Sequence, residues 1–237
     1  MTVYYVDAVN GKNGNDGSSE RPWETITWAL ASVEAGDTIR VRKGVYRESV
    51  KVNKARVWLV AEEGCRPVVD GGWNGELVPE QRAGLLTIAA DGATVEGLWV
   101  KNSPGRGVTI AADDVTLRNC HTRNVRMDGI VANGLNVGGL RSITIEECSF
   151  VGLSQKMADG KDDQAAGSSF VMVHVLDSVF RRNIVGEGYK EGFNIDKNTS
   201  GCVYEENVLF NTGHAGCYFN HSQGNIVRNN VFLHTTP

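Results

Sequence analysis

The chain has 237 residues, enough for one domain or two small ones, and carries 24 basic and 28 acidic residues for a net charge of −4. This balance, without a long basic stripe, argues against a nucleic-acid partner, and no apolar run approaches the about 20 residues of a membrane span. Because the first residues lack the basic and apolar regions of an export signal, we expect either a cytosolic protein or an extracellular or periplasmic one whose signal has been removed.

The first predicted element is a helix over Trp23–Glu34, because apolar residues recur there at helical spacing and Gly36 follows. The apolar positions are Ile26, Ala29, Leu30 and Val33. Short apolar or alternating runs then predict strands, at Asp37–Arg42, Val50–Val52 and Val57–Val60.

A repeat of 22 residues is visible from Leu86 onward. The segment Leu86–Leu98 matches Val108–Cys120 in length and pattern. Later copies start directly after a small residue, at Ile130, Phe170, Phe193 and Cys217. Each copy holds two or three strand patterns and no helical half, which predicts a parallel β-helix rather than a leucine-rich repeat.

In a parallel β-helix, like residues of successive coils stack in columns about 4.8 Å apart. One such column would hold Asn183, Asn207 and Asn230, with Cys120 and Cys148 before them. This column predicts an asparagine ladder inside a turn, whose interruption we expect to cost about 1–3 kcal/mol.

These patterns together predict one all-β solenoid domain of about eight coils over residues 1–237. Residues 1–36 would form a cap region whose helix covers the first coil, and residues 37–237 would form the coils, with an inserted loop near residues 154–167. At the other end, only five residues follow Phe232, too few for a second cap. We therefore expect that the protein continues beyond Pro237, or that self-association through this C-terminal end covers it.

The N-terminal region resembles a known superfamily. The stretches YYVDAVNGKNGNDGSSERPWETITWAL and GDTIRVRKGVYRESV are similar to the N-terminal signature of right-handed parallel β-helix proteins of the pectate-lyase superfamily, and the RNN and EEN turns resemble their later coils. The resemblance implies a right-handed coil. It leaves activity open, because the superfamily includes lyases, glycosidases, epimerases, esterases and phage tailspikes.

Chemistry is expected on the outward face of the strand that follows each small residue. Strand alternation places two columns there, Val131, Val171, Asn194, Tyr218 and Asn133, Val173, Asp196, Asn220. The next position holds Gly134, His174, Lys197 and His221, and Lys190, Glu191 and His214 lie just before the strands. The earlier coils offer only small or hydroxyl side chains on the equivalent strands.

A polysaccharide lyase needs a base for the C5 proton of a uronic acid and positive charge for its carboxylate. Lys197, between two histidines of its column, is the predicted base. His221, His174 and His214 would supply cation or acid, and Tyr218 a platform or a proton donor. Asn133, Asn194, Asn220 and Lys190 are the predicted substrate-binding residues.

Calcium is the one predicted cofactor, and no organic cofactor is expected. Glu191, Asn194 and Asp196 are hard oxygen donors of the kind that Ca²⁺ prefers. The segment Glu191–Lys197 also resembles the stretch of the chondroitinase B and alginate lyase family in which calcium carboxylates precede the catalytic lysine, which implies Glu191 as ligand and Lys197 as base. That family has an arginine near the position of Asn220 or His221, where this chain has none.

Two other functions stay open. In a glycoside hydrolase, Glu191 and Asp196 would be the acid and base pair. In a non-catalytic module, the same face would bind a glycan, as part of a surface adhesin or a phage protein. In each reading the expected partner is a polysaccharide.

Overall fold

The computed structural model describes residues 1–76, 81–153 and 167–233. Within these ranges the chain forms one short helix and a long series of short strands. In chain order these are β1 (Val3–Val6), α1 (Ile26–Ser32), β2 (Thr38–Val41), β3 (Val45–Tyr46), β4 (Val50–Val52), β5 (Trp58–Ala61), β6 (Val68–Asp70), β7 (Gly84–Ile88), β8 (Thr94–Glu96), β9 (Trp99–Ser103), β10 (Arg106–Ile110), β11 (Thr116–Arg118), β12 (His121–Val125), β13 (Ile130–Asn133), β14 (Leu140–Arg141), β15 (Thr144–Glu146), β16 (Ser149–Leu153), β17 (Phe170–Val173), β18 (Val175–Leu176), β19 (Val179–Arg181), β20 (Ile184–Gly188), β21 (Phe193–Asp196), β22 (Val203–Glu205), β23 (Val208–Thr212), β24 (Cys217–Asn220), β25 (Ile226–Arg228) and β26 (Val231–Leu233).

Three parallel sheets run along the stack, and successive strands pass from one sheet to the next. The first sheet has the order β1-β2-β5-β8-β11-β15-β19-β22-β25, the second β3-β6-β9-β12-β16-β20-β23-β26, and the third β4-β7-β10-β13-β17-β21-β24. The chain is therefore the parallel β-helix that the repeat predicts. Among the described residues, seven coils contribute to all three sheets and β25 and β26 begin an eighth.

The 22-residue alignment gives the strand register. Val108 pairs with Leu86 in the third sheet, and Thr116 pairs with Thr94 in the first. Equivalent positions of successive repeats therefore lie next to each other on neighbouring coils, because the strands run parallel. Coil corners use residues in the left-handed conformation, which asparagine tolerates better than most side chains, for example at Asn119 (φ 50°) and Asn229 (φ 56°).

Helix α1 is shorter than the predicted Trp23–Glu34. It begins at Ile26 because the Thr25 side chain caps it, accepting a hydrogen bond from Trp28 N at 3.2 Å. The Glu48 carboxylate accepts two more, from the backbone amides of Ile26 and Thr27. The buried side of α1 packs against β1, β2 and β4, at the N-terminal end of the stack.

The asparagine ladder is confirmed. The amide of Asn183 and the backbone N–H of Asn183 both donate to Asn207 Oδ1, at 3.0 and 2.9 Å. Asn207 donates in the same way to Asn230, and Asn183 Oδ1 accepts from Cys148 N. Asn183 and Asn207 are fully buried, so the ladder satisfies polar groups that water does not reach. Cys120 occupies the column before Cys148, as predicted.

The core changes character along the stack. Early coils are filled by aliphatic side chains such as Leu86 and Val108, whereas an aromatic cluster fills the fifth to seventh coils. Its fully buried members are Phe150, Phe170, Phe180, Phe193 and Tyr204, with neighbouring ring centroids 4.8–5.4 Å apart. These rings support the third-sheet strands that carry the candidate site.

Two predictions concern the inserted loop and the C-terminal end of the stack. Residues 154–166, most of the predicted insertion near 154–167, lie outside the described residues. At the last described strand, Val231, Phe232 and Leu233 are 48%, 47% and 52% exposed, and self-association through this end stays a prediction. No helix among the described residues has the length and apolar character needed to cross a membrane.

Candidate active site

The predicted columns pair in register on the third sheet, although Val131 and Val173 are buried, at 2% and 8% exposed. Val131, Val171, Asn194 and Tyr218 pair in register across β13, β17, β21 and β24, as do Asn133, Val173, Asp196 and Asn220. The alternate residues of the same strands point into the core. Phe219 pairs with the buried Ile195 and its ring contacts that of Tyr204, so it belongs to the inward column; it is 44% exposed because β24 is the last described strand of this sheet.

A first group of polar residues lies at the start of these strands. Ser168 Oγ donates to Glu191 Oε2 at 2.6 Å, and His214 Nδ1 lies 3.4 Å from Glu191 Oε1. Asn194 Nδ2 donates to the same Ser168 oxygen at 3.2 Å. Burial alone would raise the pKa of Glu191, but hydrogen bonds and His214 lower it below its usual range. We call Ser168, Glu191, Asn194 and His214 the upstream cluster.

A buried ion pair supports the upstream cluster from the preceding coils. Arg106 Nε donates to Asp128 Oδ2 at 3.0 Å, and Asp128 Oδ1 accepts from Ser168 N at 3.0 Å. Asp128 also lies against Gly167, where any Cβ atom would collide with its carboxylate. Burial raises the pKa of Asp128 despite the charges of Arg106 and Lys190. Asp128 therefore fixes the backbone at Ser168, which in turn orients Glu191.

A second group lies at the end of the strands. Asp196 Oδ1 accepts hydrogen bonds from Asn220 Nδ2 at 2.9 Å and from Lys197 N at 2.8 Å. The next column holds His174, Lys197 and His221, all with positive φ, so each ends its strand at a sharp corner. His174 N donates to Lys197 O, and Asn198 N donates to His221 O. We call Asp196, Lys197, Asn220, His174 and His221 the downstream cluster.

The remaining predicted site residues lie at the margins. Tyr218 is 45% exposed beside Asn194 on the neighbouring strand. Asn133 is two coils away from Asp196, and its Oδ1 accepts from Leu135 N within a local turn. Lys190 has a half-buried side chain whose charge acts on Asp128. The imidazole of His174 lies against Gly139 of the loop before β14.

The predicted calcium ligands are divided between the two clusters. Glu191 and Asn194 meet at Ser168, whereas Asp196 faces Asn220. Asn194 and Asp196 are two residues apart on β21, which separates their Cα atoms by about 7 Å, at about 3.3 Å per residue. Among the described residues, no group of three or more His, Cys, Asp or Glu side chains is placed to hold a metal ion. Asn194 Oδ1 is buried and has no hydrogen-bond partner among the described residues. Calcium binding stays a prediction.

Sequence reasoning missed Ser168 and Arg106. Ser168 lies just before β17, after residues at which the sequence repeat loses its spacing, so no column indicated it. Arg106 stands 22 residues before Asp128, and this spacing was the available signal for a pair on neighbouring coils.

The fold and the sequence match one family over most of the chain. The model of the Pel9A-like right-handed β-helix region matches residues 4–227. The chain belongs to this family. No curated protein sequence matches it.

Three solved structures show how widely this architecture is shared. Pectate lyase Pel9A is 18% identical, with a TM-score of 0.72 over 90% of this chain and 55% of its own. The alginate lyase from Paenibacillus sp. str. FPU-7 is 17% identical, with a TM-score of 0.67 over 87% of this chain and 72% of its own. A rhamnogalacturonan lyase is 16% identical, with a TM-score of 0.67 over 98% and 62%. At these identities the likeness concerns the fold, and the chain spans little more than half the length of Pel9A.

Proposed function

We propose that this β-helix is a polysaccharide lyase that cleaves a uronate-containing polymer by β-elimination. The observation that carries the proposal is the column His174, Lys197, His221, whose members directly follow three neighbouring strands of the third sheet. It places a lysine between two histidines and beside Asp196, in a chain of the Pel9A-like family. On the same sheet, the paired strands β7 and β10 present only Thr87, Thr109 and small residues at equivalent positions.

In the proposed reaction, Lys197 removes the proton on C5 of the uronic acid. The electron pair left on C5 forms the double bond to C4 as the glycosidic oxygen on C4 departs and is protonated. His221 and His174 supply positive charge for the substrate carboxylate, and Tyr218 is the proton donor or the platform for the sugar ring. Asn220, held by Asp196, and Asn194, held by Ser168, bind hydroxyl groups.

The upstream cluster has a supporting role in this proposal. Glu191 holds His214 and Ser168, while Lys190 and Asn133 extend the substrate-binding surface along the sheet. The predicted calcium ligands Glu191, Asn194 and Asp196 are divided between the two clusters, so the proposed reaction uses no metal ion. Because the substrate is a polymer, we propose that the protein works outside the cytoplasm.

A glycan-degradation panel tests the proposal. The purified chain is incubated with polygalacturonate, alginate and glycosaminoglycans, each with and without EDTA, and both ultraviolet absorbance and reducing ends are followed. A lyase raises absorbance, because its products carry an unsaturated uronate. New reducing ends without absorbance would identify a hydrolase instead, which uses Glu191 and Asp196. Binding without any turnover would identify a non-catalytic module.

A further inference from the structure

A separate cavity lies on the side of the solenoid away from the third sheet. Its volume is about 440 Å³, and it is formed where the first sheet turns into the second, in the second to fourth coils. The turn between β5 and β6 spans residues 62–67, whereas the turns after β8 and β11 have only residues 97–98 and 119–120. The longer turn therefore overhangs the two coils that follow and forms one wall of the cavity.

The floor of this cavity is aromatic. Trp99 and His121 occupy paired positions on β9 and β12, with ring centroids 5.1 Å apart and planes tilted by 50°. Both side chains are half-buried, and His121 Nδ1 lies 2.7 Å from Ser149 Oγ, which holds the imidazole in place. Burial and the nearby Arg66 lower the pKa of His121, so its ring is neutral at neutral pH.

The charged groups around the floor nearly cancel. Two carboxylates already have partners, in the pairs Glu62 with Arg42 at 3.2 Å and Glu96 with Arg118 at 2.7 Å. Glu63 and Arg66 are exposed on the overhanging turn and contribute one charge of each sign. A ligand with a strong net charge therefore gains little here, whereas hydroxyl groups find both acceptors and donors.

We propose that this cavity binds a neutral saccharide. A sugar ring presents an apolar face that would pack on Trp99, and its hydroxyl groups would bond to the carboxylates, Arg66 and Asn119 on the rim. The volume lies within the range of about 300–1,000 Å³ typical of small-molecule sites. This site is distinct from the lyase proposal and does not depend on it, because no residue is shared between them.

The test is a titration with neutral tetrasaccharides. The neutral probes are xylotetraose, cellotetraose and β-1,4-galactotetraose, and the charged probes are tetragalacturonate and choline. Saturation-transfer difference NMR and calorimetry measure the binding of each probe. We expect at least one neutral probe to bind, and Trp99→Ala to weaken that binding at least tenfold. The matched control Trp58→Ala, which removes a 42% exposed indole from the first sheet, should leave the affinity unchanged. Lys197→Ala should also leave it unchanged.

A second variant guards against a fold defect in Trp99→Ala. The double substitution Glu63→Ala with Arg66→Ala leaves the aromatic floor intact and should weaken binding at least threefold while the melting temperature is retained. The proposal is overturned if no neutral probe shows binding that depends on Trp99 or on this rim. It is equally overturned if tetragalacturonate or choline, rather than a neutral probe, binds in a Trp99-dependent way.

Discussion

The outer faces of the first and third sheets differ in how they arrange charge. On the first sheet, successive coils alternate in sign along one column, in the order Glu96, Arg118, Glu146, Arg181, Glu205, Arg228. Ion pairs of 2.7 Å join Arg118 to Glu96, Arg181 to Glu146 and Arg228 to Glu205. Each charge thus has a partner one coil away.

On the third sheet, the column His174, Lys197, His221 brings basic residues together instead. Within this column no basic residue has a neighbour of opposite charge. Their positive charge is therefore not neutralised along the column and can attract an anionic ligand. The same scaffold therefore carries one face whose charges are paired with each other and one face that, in the proposed function, binds an anionic ligand. Four experiments test this comparison, from the largest expected effect to the smallest.

Replacing Lys197 tests the proposed role of the outer face of the third sheet. In Lys197→Ala we expect lyase activity to fall by about 10²–10⁴-fold, the usual contribution of a general base. Lys51→Ala is the matched control, because Lys51 is an exposed lysine on the same sheet at the other end of the stack. The absorbance assay measures both variants. Equal activity of Lys197→Ala and wild type would remove the lysine from the mechanism.

Interrupting the asparagine ladder tests the stacking of the coils, on which the outer faces of both sheets depend. Asn207→Ala should lower the free energy of unfolding by about 3 kcal/mol, at the upper end of the range for a lost buried partner, since Asn183 loses two hydrogen bonds. Urea unfolding measures the change, with the exposed Asn53→Ala as control. A loss below about 0.3 kcal/mol would contradict the stabilising role of the ladder, because buried donors would then be left unpaired at no cost.

Neutralising one carboxylate tests the alternating charges on the outer face of the first sheet. Glu146 is buried and accepts from both Arg181 and Arg182, so Glu146→Gln should cost about 1–2 kcal/mol. Glu147→Gln, which removes a half-exposed partner of Arg182, should cost less than about 0.5 kcal/mol. If both substitutions have the same effect in urea unfolding, the alternating column does not stabilise the sheet.

The smallest effect concerns pH. The pKa of Glu191 is lowered in the folded protein, so its ionised form favours folding at pH values above the unfolded pKa of about 4.3. This contribution is lost as pH falls through the folded value. Glu191→Gln should therefore destabilise the protein by about 0.5–1.5 kcal/mol at pH 7 and by less at pH 3, relative to wild type. The exposed Glu24→Gln serves as control. An equal loss at both pH values would show that the charge is not involved.

The sequence predicted the columns well because strand alternation and coil stacking are both strictly periodic. Asn194 beside Tyr218 and Asp196 beside Asn220 follow from counting residues after each small residue. The stacking of like residues also predicted the ladder of Asn183, Asn207 and Asn230, although the repeats there differ in length. Such inferences succeed wherever neighbouring coils keep the same turn lengths.

The site contacts outside the columns did not follow from that periodicity. Ser168 joins Glu191 to Asp128, but it follows the insertion that interrupts the repeat, so no column could place it. The predicted calcium site also required Glu191 and Asp196 to lie together, but Glu191 bonds to Ser168 before β21, whereas Asp196 bonds to Asn220 at the end of that strand. The helix start at Ile26 was likewise set by the Thr25 cap rather than by the apolar spacing.

The parallel pairing of coils has a mechanical consequence. In a β-helix the backbone bonds between strands lie along the long axis, so tension on the two ends loads one inter-coil contact after another instead of shearing all strands at once. Extension should therefore proceed by peeling, in steps of one coil. The candidate site spans the coils that carry β17, β21 and β24, so it should lose its shape when peeling reaches these coils.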